Sequence, residues 1–241
     1  MQNFFTPHDN FKRTTVLLTG DEHHHATRSC RVKPGELIGV SDGCGRRVHA
    51  RIEVIDTTQV LAVIEKDVSG AGEPDTVITV ALSVIKPSRF ETAVEKCSEL
   101  GVRHIVPIVA ERCEQSAARR LKIERLRKIA LEAAKQSGRS WVPGISSPNS
   151  LSDFLRQSNG MIFVASQRAV RSFEETFGHS TDTRTVTLVI GPEGDFTEQE
   201  YGIFQKYDAA LFSLGGLTLR TETAAIIAAS LAVNVVRSDL L

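Results

Sequence analysis

The sequence predicts an α/β protein in two parts: a strand-built N-terminal domain over residues 1–70 and a larger domain over residues 76–241 with a parallel sheet. Three observations carry that prediction. Residues 36–65 hold β-rich runs with no helical periodicity between them. Residues 69–75, SGAGEPD, are dense in Gly and Pro and read as a linker. Beyond the linker, apolar runs of strand length alternate with amphipathic runs of helix length. That alternation is the grammar of β-α-β units and a sheet covered on both faces.

In order, Glu36–Ser41, Val48–Ile55 and Gln59–Ile64 read as strands, and DGCG at 42–45 as a hairpin turn, because Asp-Gly accepts the positive φ of a tight turn. Val77–Ile85 is a continuous apolar run suited to a buried strand. The following helix is expected to start on a capping box of Ser88 and Glu91, to bury Phe90, Ala93, Val94, Cys97 and Leu100, and to stop at Gly101. Val102–Val109 is the next strand. One long helix is predicted over Ala118–Ser137, with Ile123, Leu126, Ile129, Ala130 and Ala133 inward. Met161–Ala165, Thr185–Ile190 and Ala209–Ser213 then read as strands, alternating with helices at Val170–Phe177, Glu198–Lys206 and Glu222–Val236.

Composition narrows the function. Among 241 residues, no apolar run approaches the roughly 18 needed to span a bilayer, so no membrane role is expected. MQNFFTPHDNFKR lacks the apolar region of a signal peptide, and the four cysteines lack C-x-x-C spacing; both point to free thiols in a reducing cytoplasm. Lys+Arg and Asp+Glu each number 29, but Arg103–Arg139 carries ten basic against four acidic residues, while Arg171–Asp208 carries three against eight. A basic stretch on a neutral chain is compatible with a polyanionic partner, or with a solvated helix face. His23-His24-His25 does not suggest a metal, because consecutive histidines cannot converge from a regular element and no partner has ligand spacing. Phosphate contact and a surface helix face both remain open for it.

Two loops at strand ends carry the chemistry. In LVIGPEGDFTEQE, residues 188–200, glycines allow close backbone approach, Pro192 stiffens the turn, and Thr197 with Glu200 forms a capping box. In LFSLGGLTLRTETAA, residues 211–225, Gly215-Gly216 opens the turn, Thr221 is the expected N-cap, and Arg220 and Glu222 flank it. Ligands of open α/β sheets bind beyond such strand ends. Neither loop is a dinucleotide fingerprint or a phosphate loop, and no lysine is present to hold a triphosphate. The ligand is therefore expected to be read mainly by backbone groups.

These two loops together resemble the paired signature of the RsmE family, SPOUT-superfamily methyltransferases that modify uracil N3 in 16S ribosomal RNA using S-adenosylmethionine. The similarity extends over nearly the whole chain. It includes His25, Arg28 and Arg31 in HHHATRSCRVKPGE, KCSELGV at 96–102, Glu111-Arg112-Cys113, and Gln136-Ser137-Gly138-Arg139. The resemblance implies a PUA-like RNA-binding β-barrel over 1–70 and a trefoil-knotted methyltransferase domain over 76–241. It also implies a homodimer, with the small ribosomal subunit as the target. S-adenosylmethionine would lie against Ile190, Gly191, Glu193, Gly194, Leu214, Gly215, Leu219 and Thr221. RNA would meet His25, Arg28, Arg31, Arg112 and Arg139. Arg220 would face charge developing on the uracil oxygens, and Glu222 or Glu193 would accept the N3 proton. Two positions depart from the family. Asp195 stands where its Gly-Pro-Glu-Gly-Gly ends, and Leu217 replaces a basic residue, whose contact is absent or supplied elsewhere. Leu219–Ala224 keep the pattern, so activity is expected to survive. A methyltransferase for another RNA, or a ribosome-associated protein without catalysis, are the rival readings; cofactor binding separates the last from the others.

Overall fold

The computed structural model describes residues 1–113, 115–178 and 184–238. They form two compact units: Met1–Glu73 with Leu131–Val142, and Pro74–Ala130 with Pro143–Leu241. The sequence placed residues 131–142 in the second part. Their membership in the first has a concrete cause. Glu73 holds Arg139 at 2.8 Å and accepts the backbone N–H groups of Ser140 and Trp141, while Ser41 donates to the Ser140 carbonyl. No local pattern reports bonds across so many residues.

The first unit is a five-stranded sheet of β1 (Asn3–Phe5), β2 (Thr15–Thr19), β3 (Leu37–Ser41), β4 (Arg47–Ile55) and β5 (Gln59–Asp67), in the order β1-β3-β4-β5-β2. The β3–β4, β4–β5 and β5–β2 pairs are antiparallel. Alternation decides which face is buried: Val48, Ala50 and Ile52 of β4 and Val60 and Ala62 of β5 point inward onto Phe4, Leu18 and Ile38. The turn after β3 closes as expected, with Asp42 Oδ1 accepting the N–H groups of Cys44 and Arg46. A short helix, α1 (Gly20–His24), continues as a π-helical turn to Ser29. The sequence reading had no elements there.

The second unit is a parallel sheet of β6 (Val77–Ser83), β7 (His104–Val109), β8 (Gly144–Ile145), β9 (Asn149–Ser150), β10 (Met161–Ala165), β11 (Thr185–Ile190) and β12 (Ala210–Phe212). Its order is β12-β10-β11-β6-β7-β8, with β9 also pairing β7. Its helices are α2 (Pro87–Leu100), α3 (Gln115–Arg120), α4 (Ile123–Ser137), α5 (Leu151–Gln157), α6 (Phe173–Phe177), α7 (Glu198–Lys206) and α8 (Thr221–Ser238). The residues of α4 from Leu131 on count with the first unit. In α8, Ala225, Ala228, Ala229 and Ala232 are fully buried, a small-residue stripe at helical spacing that lets the helix lie close to its neighbours. Phe173 and Phe177 of α6 pack on Phe163, with ring centroids 5.0 and 5.8 Å away.

Helix starts depart from expectation in four places. Pro87 occupies the first position of α2, so Ser88 is already inside the helix and makes no cap. Glu91 instead pairs with Arg125 at 2.5 Å, which holds its carboxyl below the ordinary range. The long helix expected over 118–137 is two helices, because the Lys122 carbonyl accepts the first bonds of α4 from Arg125 and Leu126. Arg220, not Thr221, caps α8: its carbonyl accepts the Ala224 N–H at 2.8 Å, and Thr221 is already helical. The Thr197–Glu200 capping box of α7 forms as read. A further box, Ser172–Glu175, starts α6 later than expected and leaves Val170 exposed.

Candidate active site

The strand order puts β10 between β12 and β11. The loops after these three parallel strands therefore emerge side by side. Between them lies a cavity open to solvent at its mouth, beyond the carboxyl ends of the strands where open α/β sheets bind ligands. Ile190, Gly191, Pro192, Glu193 and Asp195 form one wall, Leu214–Gly215 and Leu217–Leu219 another, and Ala165, Ser166 and Gln167 the floor between them. Thr221 and Ala224 complete the lining at the start of α8.

The first wall is braced from within. Asp195 N–H closes a turn on the Pro192 carbonyl at 3.0 Å. Phe196 is fully buried, its ring 4.8 Å from Phe204, and a side chain on Gly191 would press on that ring. Arg112 donates to the Gly194 carbonyl at 2.7 Å, and Glu111 accepts the Thr197 hydroxyl at 2.9 Å. The Glu-Arg-Cys segment after β7 is thus a clamp on this loop. The second wall needs Gly215, whose φ of +107° disfavours any side chain. Gln167 donates to Thr218 at 2.9 Å, joining floor and second wall.

The charge of this lining is informative. Among the described residues its ionisable members are Glu193 and Asp195, both acids, with no lysine or arginine. Arg89 of α2 donates to Glu193 at 3.1 Å and lies 3.6 Å from Glu222 Oε1. Glu222 is buried, and its Oε2 has no hydrogen-bond partner among the described residues.

Of the expected cofactor residues, Ile190, Gly191, Glu193, Leu214, Gly215, Leu219 and Thr221 line the cavity. Gly194 is outside the lining, its carbonyl turned to Arg112. Arg220 is exposed and Glu222 buried at the start of α8, one on each side of Thr221, and neither lines the cavity. Among the expected RNA contacts, His25, Arg28 and Arg31 are exposed around the π-helical turn of the first unit. Within the triple histidine, His23 is buried and bonds the Asp56 carbonyl at 3.1 Å. Arg112 keeps an exposed side chain while holding the loop. Arg139 is a correction. It is 6% exposed and paired to Glu73, so its guanidinium serves the first unit's own structure. The sequence reading missed Ser166, Gln167 and Arg89. The strand before Ser166 was legible, but not its place between β11 and β12.

Comparison with known proteins agrees with this geometry. Residues 72–233 match the RNA methyltransferase domain model, and residues 18–65 match the RNA methyltransferase PUA domain model. The chain is 30% identical to Ribosomal RNA small subunit methyltransferase E of Synechocystis over 218 residues, 89% of this chain and 71% of that protein. It is 27% identical to the enzyme of the same name from Rickettsia conorii, over 90% of this chain and 88% of that one. Its structure is similar to a Ribosomal RNA small subunit methyltransferase E from Neisseria gonorrhoeae bound to S-adenosylmethionine, with a TM-score of 0.80 and 29% identity over 96% of both chains. Fold and site define an RNA methyltransferase of the SPOUT type with a PUA-like domain. More particularly, the chain belongs to the small-subunit ribosomal RNA methyltransferase E family.

Proposed function

We propose that this protein transfers a methyl group from S-adenosylmethionine to N3 of a uridine in 16S ribosomal RNA, near the decoding centre of the small subunit. The observation that carries the reading is the cavity whose ionisable lining residues, among the described residues, are acids alone. S-adenosylmethionine brings a cationic sulfonium and an ammonium, which such a lining favours. ATP and NAD bring polyphosphate, for which the described lining supplies no basic side chain. The names of the relatives support ribosomal RNA as the acceptor.

The uracil N3–H is a poor nucleophile until its proton leaves. As the N3 lone pair forms its bond to the methyl carbon, the sulfonium C–S bond breaks and leaves a neutral thioether. In this reading Arg220, exposed at the cap of α8, faces the negative charge spreading onto the uracil oxygens. A carboxylate takes the N3 proton. Glu193 is on the cavity wall, and Glu222 lies beyond Thr221 with an unpartnered oxygen. His25, Arg28 and Arg31 contact phosphates, and Arg112 adds a contact near the cavity. The reading extends to a knotted C-terminal chain path, a homodimer and a place in the cytoplasm with the ribosome. The test is calorimetry with S-adenosylmethionine, ATP and NAD, followed by labelled cofactor on small subunits lacking the modification and analysis of the product nucleoside. Tight NAD binding without S-adenosylmethionine binding overturns the cofactor; label on another base or another RNA overturns the target.

A further inference from the structure

Asp195 lines the cavity with φ at +60°, a left-handed conformation that costs a residue with a side chain. Local and distant bonds hold it there. Its Oδ1 accepts the Phe196 N–H at 2.8 Å, and its two oxygens lie 3.0 and 3.2 Å from the Tyr201 hydroxyl. That hydroxyl is 2.7 Å from Ser166 Oγ, which in turn accepts the Arg168 N–H at 3.1 Å. The order of donors follows: Ser166 donates to Tyr201, and Tyr201 donates to the Asp195 carboxylate. Tyr201 cannot swing away. The Arg168 guanidinium covers its ring at 4.0 Å and is tied to Glu198, and Phe196 and Phe204 meet it edge-on. Tyr201 and Ser166 are both 7% exposed, so the bond between them is shielded from water, while the Asp195 end is half-buried at the cavity wall.

Ser166 belongs to the floor of the cavity and Asp195 to its first wall, and Tyr201 of α7 reaches both without lining the cavity itself. We propose that Asp195, Tyr201 and Ser166 form a strap that sets the spacing of floor and wall, making Asp195 a positioning residue for the cofactor that acts through Tyr201. This rests on the S-adenosylmethionine reading of the cavity. A glycine at 195 relieves the backbone but leaves the buried Tyr201 hydroxyl without its charged acceptor. Backbone strain and strap can therefore be separated by substitution.

The experiment measures S-adenosylmethionine affinity by calorimetry, and KM and kcat for methylation, in the full chain and in Asp195→Gly, Asp195→Asn, Tyr201→Phe and the Asp195→Gly/Tyr201→Phe double variant. Asp195→Gly and Tyr201→Phe should each weaken binding about tenfold, the loss of one charge-assisted buried bond, and raise KM with kcat at saturating cofactor within about threefold. Asp195→Asn keeps an acceptor for Tyr201 and tolerates positive φ but removes one of the two lining acids, so it should lose less affinity than Asp195→Gly. The double variant should be no weaker than either single one, because both cut the same strap. Parent affinity in Tyr201→Phe, which keeps the core volume, overturns the strap whatever happens to thermal stability; additive losses overturn it too. No binding by the unmodified protein overturns the cofactor reading and this proposal with it, an outcome distinct from tight binding that the variants leave unchanged.

Discussion

Arg220 is a cation at the one end of a helix where cations are disfavoured, and it is exposed. A structural role explains it poorly; a role toward negative charge explains it well. Arg220→Ala should leave the melting temperature close to that of the parent, since an exposed helix-start charge contributes little. It should slow single-turnover methylation by about ten- to a thousand-fold, the range for losing one electrostatic stabiliser. A fall in cofactor affinity instead would assign it to the cofactor carboxylate, and no change in either would leave it a surface charge. Arg89 is the opposite case. Its guanidinium stands between Glu193 and the buried Glu222. Removing it strands a carboxylate whose Oε2 is already unpartnered. Arg89→Ala should destabilise the fold by about 1–3 kcal/mol. Adding Glu222→Gln should recover much of that loss, because the stranded charge goes. Equal melting temperatures for the single and double variants would show that the pair carries no buried charge cost.

Among the elements, the turn between β4 and β5 depends on one carboxylate. Asp56 Oδ1 accepts the N–H groups of Thr58 and Gln59 and the Thr58 hydroxyl, at 2.7, 2.8 and 2.9 Å. Those bonds favour the ionised form and lower its pKa from 3.8 to about 2. A depressed carboxylate contributes stability that is fully present above its unfolded pKa and is lost as pH falls through the folded one. The hairpin should therefore begin to weaken below 3.8 and lose this contribution near 2. Carbon-detected titration of Asp56 should find its midpoint well below the ordinary carboxylate range. A midpoint near 3.8 would mean that the turn bonds do not persist in solution.

For the whole molecule, the cavity is built from residues 165 onward, whereas His25, Arg28 and Arg31 are exposed on the first unit. Cofactor and RNA affinity should separate accordingly. The Arg28→Ala/Arg31→Ala variant should bind S-adenosylmethionine as the parent does. Its RNA binding should weaken, and its salt dependence should flatten by roughly one counterion for each phosphate no longer neutralised. Fluorescence anisotropy across a salt series reads this slope. An unchanged slope would make both arginines structural, a role that the left-handed backbone of Arg31, with φ of +53°, also invites.

By itself the sequence determined the β-α-β grammar of the second unit, the strand runs at 161–165 and 185–190, the Thr197–Glu200 box and the two loops that wall the cavity, because each is written in neighbouring residues. It also determined the family, because motif order and spacing survive in a linear string. Tertiary structure alone decided the rest. Which strand lies between β11 and β12 is a matter of topology, so Ser166 and Gln167 entered the site unannounced. Whether an arginine faces RNA or a buried partner depends on where distant segments meet. Arg139 carries the same charge as Arg28, yet Glu73, 66 residues earlier in the chain, takes it out of solvent. Asp195 is the clearest instance. In the string it is a departure from glycine; in the fold it is a strained residue held by Tyr201 and Ser166, and long-range hydrogen bonds of that kind leave no local trace.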